Sequence, residues 1–140
     1  MKNNLFVLGV CLVVLALTGC GLFSGGPEAD LDGTSWTLEM YGGEPLIAGT
    51  AMTAEFAAGE IRGSASCNQY FGSYEISGDQ ITLEGLGWTE MACMDPEGIM
   101  QQESAIMAML SKATSYRIEG GKLYFQVNGG EELVFSALEN

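Results

Sequence analysis

At 140 residues the chain is one domain's worth of sequence, and with 47% hydrophobic and 16% charged residues it is not a disordered tract. Eighteen acids against five bases give a formal charge of -13, which repels phosphate backbones and anionic headgroups and argues against nucleic acid as a partner. Histidine is absent, which removes Ser-His-Asp and Cys-His arrangements, the imidazole general base and every His-containing zinc site.

The chain opens with MKNNLFVLGVCLVVLALTGC. One base, Lys2, precedes an apolar run from Leu5 to Leu17 that is too short for the roughly 20 residues of a membrane-spanning helix, the layout of a secretory signal. Leu17-Thr18-Gly19-Cys20 resembles a bacterial lipobox, in which cleavage before the cysteine frees a thiol that carries diacylglycerol. The resemblance implies a bacterial source, a lipoprotein signal peptide over residues 1–19 and a lipidated Cys20 as the mature amino terminus. Loss of Lys2 with the signal leaves four bases against 18 acids, a formal -14. Gly21 rather than Asp follows Cys20. In a two-membrane cell the resemblance therefore implies the inner leaflet of the outer membrane, and in a one-membrane cell the outer face of the cytoplasmic membrane. Residues 20–30, rich in Gly with Ser and Pro, read as a flexible tether that spans about 17 Å r.m.s. as a coil.

From Leu31 to Leu138 the pattern is mainly period two. Trp36, Leu38 and Met40 share one face, and Met52, Ala54 and Phe56 share the next. Residues 57–60 form a turn before Ile61, Gly63 and Ala65. Tyr74 and Ile76 are joined through residues 77–80 to Ile81 and Leu83. Asp95 suits a helix N-cap and Pro96 a first helical position, and Ile99, Ile106, Leu110 and Ala113 then make one apolar stripe widened by Met100, Met107 and Met109. Tyr116 and Ile118 lead through Gly120-Gly121 to Leu123, Phe125 and Val127. Asn128-Gly129, the strongest hairpin signal in the chain, turns into Leu133, Phe135 and Ala137. The pattern predicts an α+β fold over 31–138: a mainly antiparallel, barrel-like sheet of about eight strands with one helix packed on it or plugging it.

Two stretches are not explained by alternation, the run Gly63-Ser64-Ala65-Ser66-Cys67-Asn68-Gln69-Tyr70-Phe71-Gly72-Ser73-Tyr74 and Trp88-Thr89-Glu90-Met91-Ala92-Cys93, and they follow the opening Leu31-Asp32-Gly33-Thr34-Ser35-Trp36. In this order, with Leu133-Val134-Phe135 near the end, they resemble the META domain, the family that includes the heat-shock protein HslJ. Ser66 stands where the family usually has Gly, and Glu90 where a base is common. The resemblance implies a small secreted or lipid-anchored protein tied to envelope stress, with no catalytic residues to carry over. Gly63 and Gly72 suit close backbone approach or positive φ at a bulged corner, which Asn68 can cap through its amide.

Two further constellations are weaker. Glu28, Asp30, Asp32, Gly33 and Glu39 fall near calcium-loop positions, but Trp36 and Leu38 read as strand and flanking helices are absent, so tether end plus first strand is the simpler account. Zinc at Cys67 and Cys93 would need two more ligands. No metal site, catalytic residue or cofactor is expected. Export into an oxidising compartment, with Cys11 removed and Cys20 lipidated, leaves Cys67 and Cys93 as an even pair, expected to form a disulfide. Two buried free thiols are the alternative.

The chain is thus expected to be a monomeric, non-enzymatic stress-response or binding module. It would be held to the membrane by lipid on Cys20 and would meet an envelope protein or small ligand. Its expected contact surface is drawn from Asn68, Tyr70, Tyr74, Trp88 and Thr89. An enzyme of unrecognised mechanism, or a metal-binding or inhibitory domain, remains the alternative.

Overall fold

A computed structural model describes residues 30–138. The expected signal peptide, Cys20 and all of the tether but Asp30 lie outside them. The alternating segments form β1 (Thr34–Tyr41), β2 (Glu44–Pro45), β3 (Thr53–Ala57), β4 (Glu60–Ser64), β5 (Gln69–Ser77) and β6 (Gln80–Trp88). One helix, α1 (Ile99–Leu110), precedes β7 (Ala113–Glu119), β8 (Lys122–Val127) and β9 (Glu131–Ala137). Pairing is antiparallel in the order β2-β1-β3-β4-β5-β6-β7-β8-β9, and β9 pairs back onto β1. β2 and β3 share one edge of β1, so eight strands close a barrel and β2 is appended to it. The expected barrel-like α+β architecture is what the chain adopts.

Inward residues of facing strands fill the barrel. Trp36, Leu38, Ala54, Phe56, Ile61, Leu123, Phe125, Leu133 and Phe135 are all buried. Phe56, Phe125 and Phe135 meet edge to face, with centroids 6.1 and 5.7 Å apart, a geometry that adds about 0.5–1.5 kcal/mol per pair beyond area burial.

Three bulges reset the alternation, one of them in β7, where the register with β8 shifts between Ala113 and Ser115. In β1 the register with β9 shifts between Leu38 and Met40, where two steps of β1 face one of β9. The phase inverts, so Met40, expected on the inner face, is 38% exposed and Tyr41 packs on the core instead. In β6 the shift lies opposite Phe71–Ser73, and Gly85 there has φ +61°. The extra residue brings Leu86 and Trp88 back in line with Ile81 and Leu83, and Trp88 lies directly across from the buried Tyr70.

The barrel is weakest between β6 and β7, whose register is the single pair Gln80↔Ser115, supported by Tyr116 N donating to Asp79 O. Beyond that pair α1 takes the place of strand. It turns Ile99, Ile106, Met107, Met109 and Leu110 inward, and with them Gln102 and Glu103. The helix begins later than Asp95-Pro96 suggest. Those residues form a bend around a cis peptide, Glu97 and Gly98 form a turn, and Gly98, with φ +87°, is the N-cap. Asp and Pro favour turns for the same reasons that they favour helix starts, so the sequence signal does not separate the two. Ala113, assigned by spacing to the helical stripe, is the first residue of β7.

The registers also place the ends. Trp36 pairs with Ala137, and Leu138 N donates to Ser35 O. The chain therefore enters and leaves at one end of the barrel, together with the turns 57–60, 77–80 and 119–122. The corner between β4 and β5 and the end of β6 lie at the other.

Candidate binding site

At the end of the barrel away from its termini, β4 passes to β5 through a tight corner closed by Ala65 N donating to Asn68 O at 2.7 Å. Gly63 is required beneath it: a Cβ there would stand 1.9 Å from Thr53 O and 3.1 Å from the Tyr70 ring. Gly72 is likewise crowded, by Glu84 O and the Leu86 side chain, both at 2.9 Å. Close approach, not positive φ, is what both glycines permit. Positive φ falls instead on Ser66, at +93°. Its hydroxyl donates to Ala51 O at 3.0 Å, a local bond set against a strained backbone.

Asn68 is 2% exposed and spends its whole side-chain capacity. Nδ2 donates to Met91 O at 3.1 Å and Glu103 Oε1 at 2.5 Å. Oδ1 accepts from Met91 N at 2.7 Å and Thr89 Oγ1 at 2.8 Å. One amide thus ties three segments together: the β4–β5 corner, the stretch after β6, and α1. Thr89 Oγ1 in turn accepts from Gln69 N at 3.2 Å.

Glu103 completes the network. Its Oε2 accepts from Cys67 N at 3.0 Å and Asn68 N at 2.8 Å. It is 3% exposed. Among the described residues the ion pairs join Arg62 to Glu55, Arg117 to Glu119 and Glu132, and Lys122 to Glu39, so none compensates Glu103. Next to it, Gln102 accepts from Ile47 N at 2.6 Å and donates to Thr50 Oγ1 at 2.9 Å, fastening the 46–50 loop to the helix. Sequence reasoning missed both residues. Their signal was an anomaly: a stripe running from Ile99 to Ile106 needs inward residues near 102 and 103 and finds Gln and Glu there.

Cys67 and Cys93 are bonded, with Cα atoms 6.0 Å apart, and fix the corner to the segment leading into the helix. The expected disulfide is thus present. Cys93 N donates to Met100 Sδ at 3.3 Å.

The residues expected to form one contact surface are dispersed. Asn68 and Tyr70 are interior, a correction to their expected exposure. Asn68 holds the corner, while Tyr70, 1% exposed, donates its hydroxyl to Thr53 O at 2.8 Å. Burial pushes the Tyr70 phenol well above its ordinary pKa. Tyr74 lies toward the opposite end, half-buried edge-on against Phe56 at 5.2 Å, with its hydroxyl on Asp32 Oδ1 at 3.2 Å. Burial first, and the Asp32 charge second, raise its pKa. Of the calcium-like set, Asp32 is thus engaged by Tyr74 and by Ala58 N, and Glu39 by Lys122. Thr89 is exposed but its hydroxyl is committed. Of these five residues Trp88 alone offers a large free surface, 50% exposed.

Trp88 does not stand alone. With Leu86 it forms one wall of a cleft of about 340 Å³, whose other side is α1 at Ser104, Met107 and Ala108 with its C-cap Ser111, and Glu103 contributes to its lining. Ser111 Oγ donates to Ala108 O. The cleft occupies the gap left where β6 runs on without β7.

The fold recurs in solved structures. An NMR structure of a protein from Burkholderia xenovorans is 26% identical, with a TM-score of 0.66 over 79% of this chain and 85% of its own. A second NMR structure is 23% identical (TM-score 0.61, covering 76% and 90% of the respective chains). The crystal structure of a DUF4847 family protein from Bacteroides vulgatus is 16% identical (TM-score 0.59, 82% and 99%). These last two show likeness of fold alone. A search of curated proteins found no match. The family model of the META domain matches residues 29–140, which takes in the whole barrel, the Asn68 corner and the helix, and the chain belongs to the META domain family.

Proposed function

We propose that this META-domain protein is a non-enzymatic binding module, anchored by lipid on Cys20 to the bacterial envelope and serving there in stress response. The carrying observation is the cleft between Trp88 and α1. Its surroundings are built by hydrogen bonds already spent on structure: Asn68 has no free amide group, Thr89 no free hydroxyl, and Glu103 is held by three N–H donors. Groups fixed in this way shape a surface and are poorly placed to exchange protons during a reaction. The lipobox-like Leu17-Thr18-Gly19-Cys20 supports the anchor, either in the inner leaflet of the outer membrane or on the outer face of the cytoplasmic membrane.

Two measurements test the proposal. Mass spectrometry of protein from intact envelopes is expected to find a diacylglycerol-modified Cys20 as the first residue, and an unmodified terminus elsewhere overturns the anchor. A photo-crosslinking side chain placed at Trp88 is expected to capture a discrete envelope component that one placed at Arg117, on the outside of β7, does not. Identical products from both positions remove the cleft as the binding surface.

A further inference from the structure

Resting on that binding role, we infer that the Trp88–α1 cleft takes a small organic cation, an ammonium group carried on an apolar body. Four observations converge. First, Glu103 is a buried carboxylate at the lining of the cleft with no base paired to it among the described residues. Its three partners are neutral N–H donors. A carboxylate offers about four lone-pair directions. Oε2 uses two, whereas among the described residues Oε1 accepts only from Asn68 Nδ2 and keeps one free.

Second, the opposite wall is Trp88, the aromatic side chain best suited to hold a cation over its face. Third, Leu86, Met107 and Ala108 give an apolar lining for the rest of the ligand, and a volume of about 340 Å³ suits a small molecule. Fourth, the chain carries 18 acids and five bases, a field that concentrates cations at its surface and repels anions. A neutral ligand would use the apolar wall but leave the Glu103 charge uncompensated. An anion would meet that charge directly.

The test uses three isosteric probes on the full-length chain: phenethylamine, 2-phenylethanol and phenylacetate. It is read by amide chemical shifts at Ser104, Met107 and Ala108 and by Trp88 fluorescence. Phenethylamine is expected to shift these signals saturably, 2-phenylethanol to bind about tenfold more weakly, and phenylacetate not to bind. Ser104→Lys, at an exposed helix position, delivers an ammonium from the chain itself and is expected to abolish phenethylamine binding without unfolding the domain. Trp88→Leu, also exposed, is expected to weaken it severalfold.

Equal binding of phenethylamine and 2-phenylethanol, or binding unaffected by Ser104→Lys, overturns the assignment of charge while leaving the cleft as a binding surface. If none of the probes moves the cleft signals, the inference is overturned, and crosslinking at Trp88 then decides separately whether the binding role survives.

Discussion

The barrel has two unlike sides. From β7 through β8, β9 and β1 to β5, neighbouring strands pair over several residues each, interrupted by single-residue bulges in β1 and β7, and aromatic rings fill the space behind them. From β6 across to β7 one residue pair does the same work, and the remaining gap is closed by a helix, a disulfide and the side chains of Asn68, Thr89, Gln102 and Glu103. Backbone ladders tolerate many side chains, because each rung is made of groups that every residue except proline carries. A side-chain network tolerates few, because losing one member strands its partners without water. The proposed binding cleft lies on the side where specific residues, not repeating backbone, hold the wall.

Substitutions on the two sides should therefore fail in different ways. The largest expected effect is on the paired side. Phe125→Ala removes a ring that touches both Phe56 and Phe135 and should cost about 3–5 kcal/mol in denaturant unfolding. Because the lost contacts are apolar, the cost should be nearly independent of pH. A pH-dependent loss would mean that the ring supports a charged group.

Removing the disulfide comes next. Cys67→Ser with Cys93→Ser opens a loop with a sequence separation of 26, worth roughly 3 to 4 kcal/mol in the chain-entropy treatment. Amide exchange should rise first in α1 and at the β4–β5 corner, with β8 and β9 still protected. Uniform loss of protection would show that the two sides unfold as one.

Tyr70→Phe is smaller, about 1–2 kcal/mol at neutral pH, because Thr53 O loses its donor. The pH dependence has a definite sign. Burial raises the phenol's pKa in the folded state, so its contribution is complete below the unfolded value near 10 and is lost as pH rises beyond it. Wild-type stability should fall more steeply than that of Tyr70→Phe above about pH 10; parallel curves would refute the assignment. Smallest, and opposite in sign, Ser66→Gly should stabilise by about 1 kcal/mol, since glycine accepts φ +93° without strain. A decrease in Tm would show that the bond to Ala51 O outweighs the backbone term.

The same contrast explains how much the sequence revealed. Strands on the paired side are legible because an antiparallel sheet with one face inward imposes period two, as in Leu123-Phe125-Val127. The bulges at Glu39 and Gly85 are not, since they depend on how a partner strand is registered, and they reversed the expectation for Met40. At the cleft the motif residues stood out as unusual, yet their roles depended on partners distant in sequence. Asn68 had a structural role available from the start, as a corner cap, but its link to Glu103 spans 35 residues. No local pattern contains that pairing. Trp88 was recognised and its companion wall on α1 was not, because a helical position that lines a cleft looks in sequence like one that faces solvent.

The shared exit of the two termini has a mechanical consequence. β1 begins and β9 ends side by side on neighbouring antiparallel strands. A force pulling the two ends apart would act across the ladder and load its hydrogen bonds one at a time, starting from Leu138 and Ser35. Strands loaded in this way peel open like a zipper, whereas strands pulled lengthwise past each other must break their bonds together. The barrel should thus be compliant to stretching between its ends, with the seam between β1 and β9 the first to part and the Trp88 cleft, at the far end, among the last regions to feel the load.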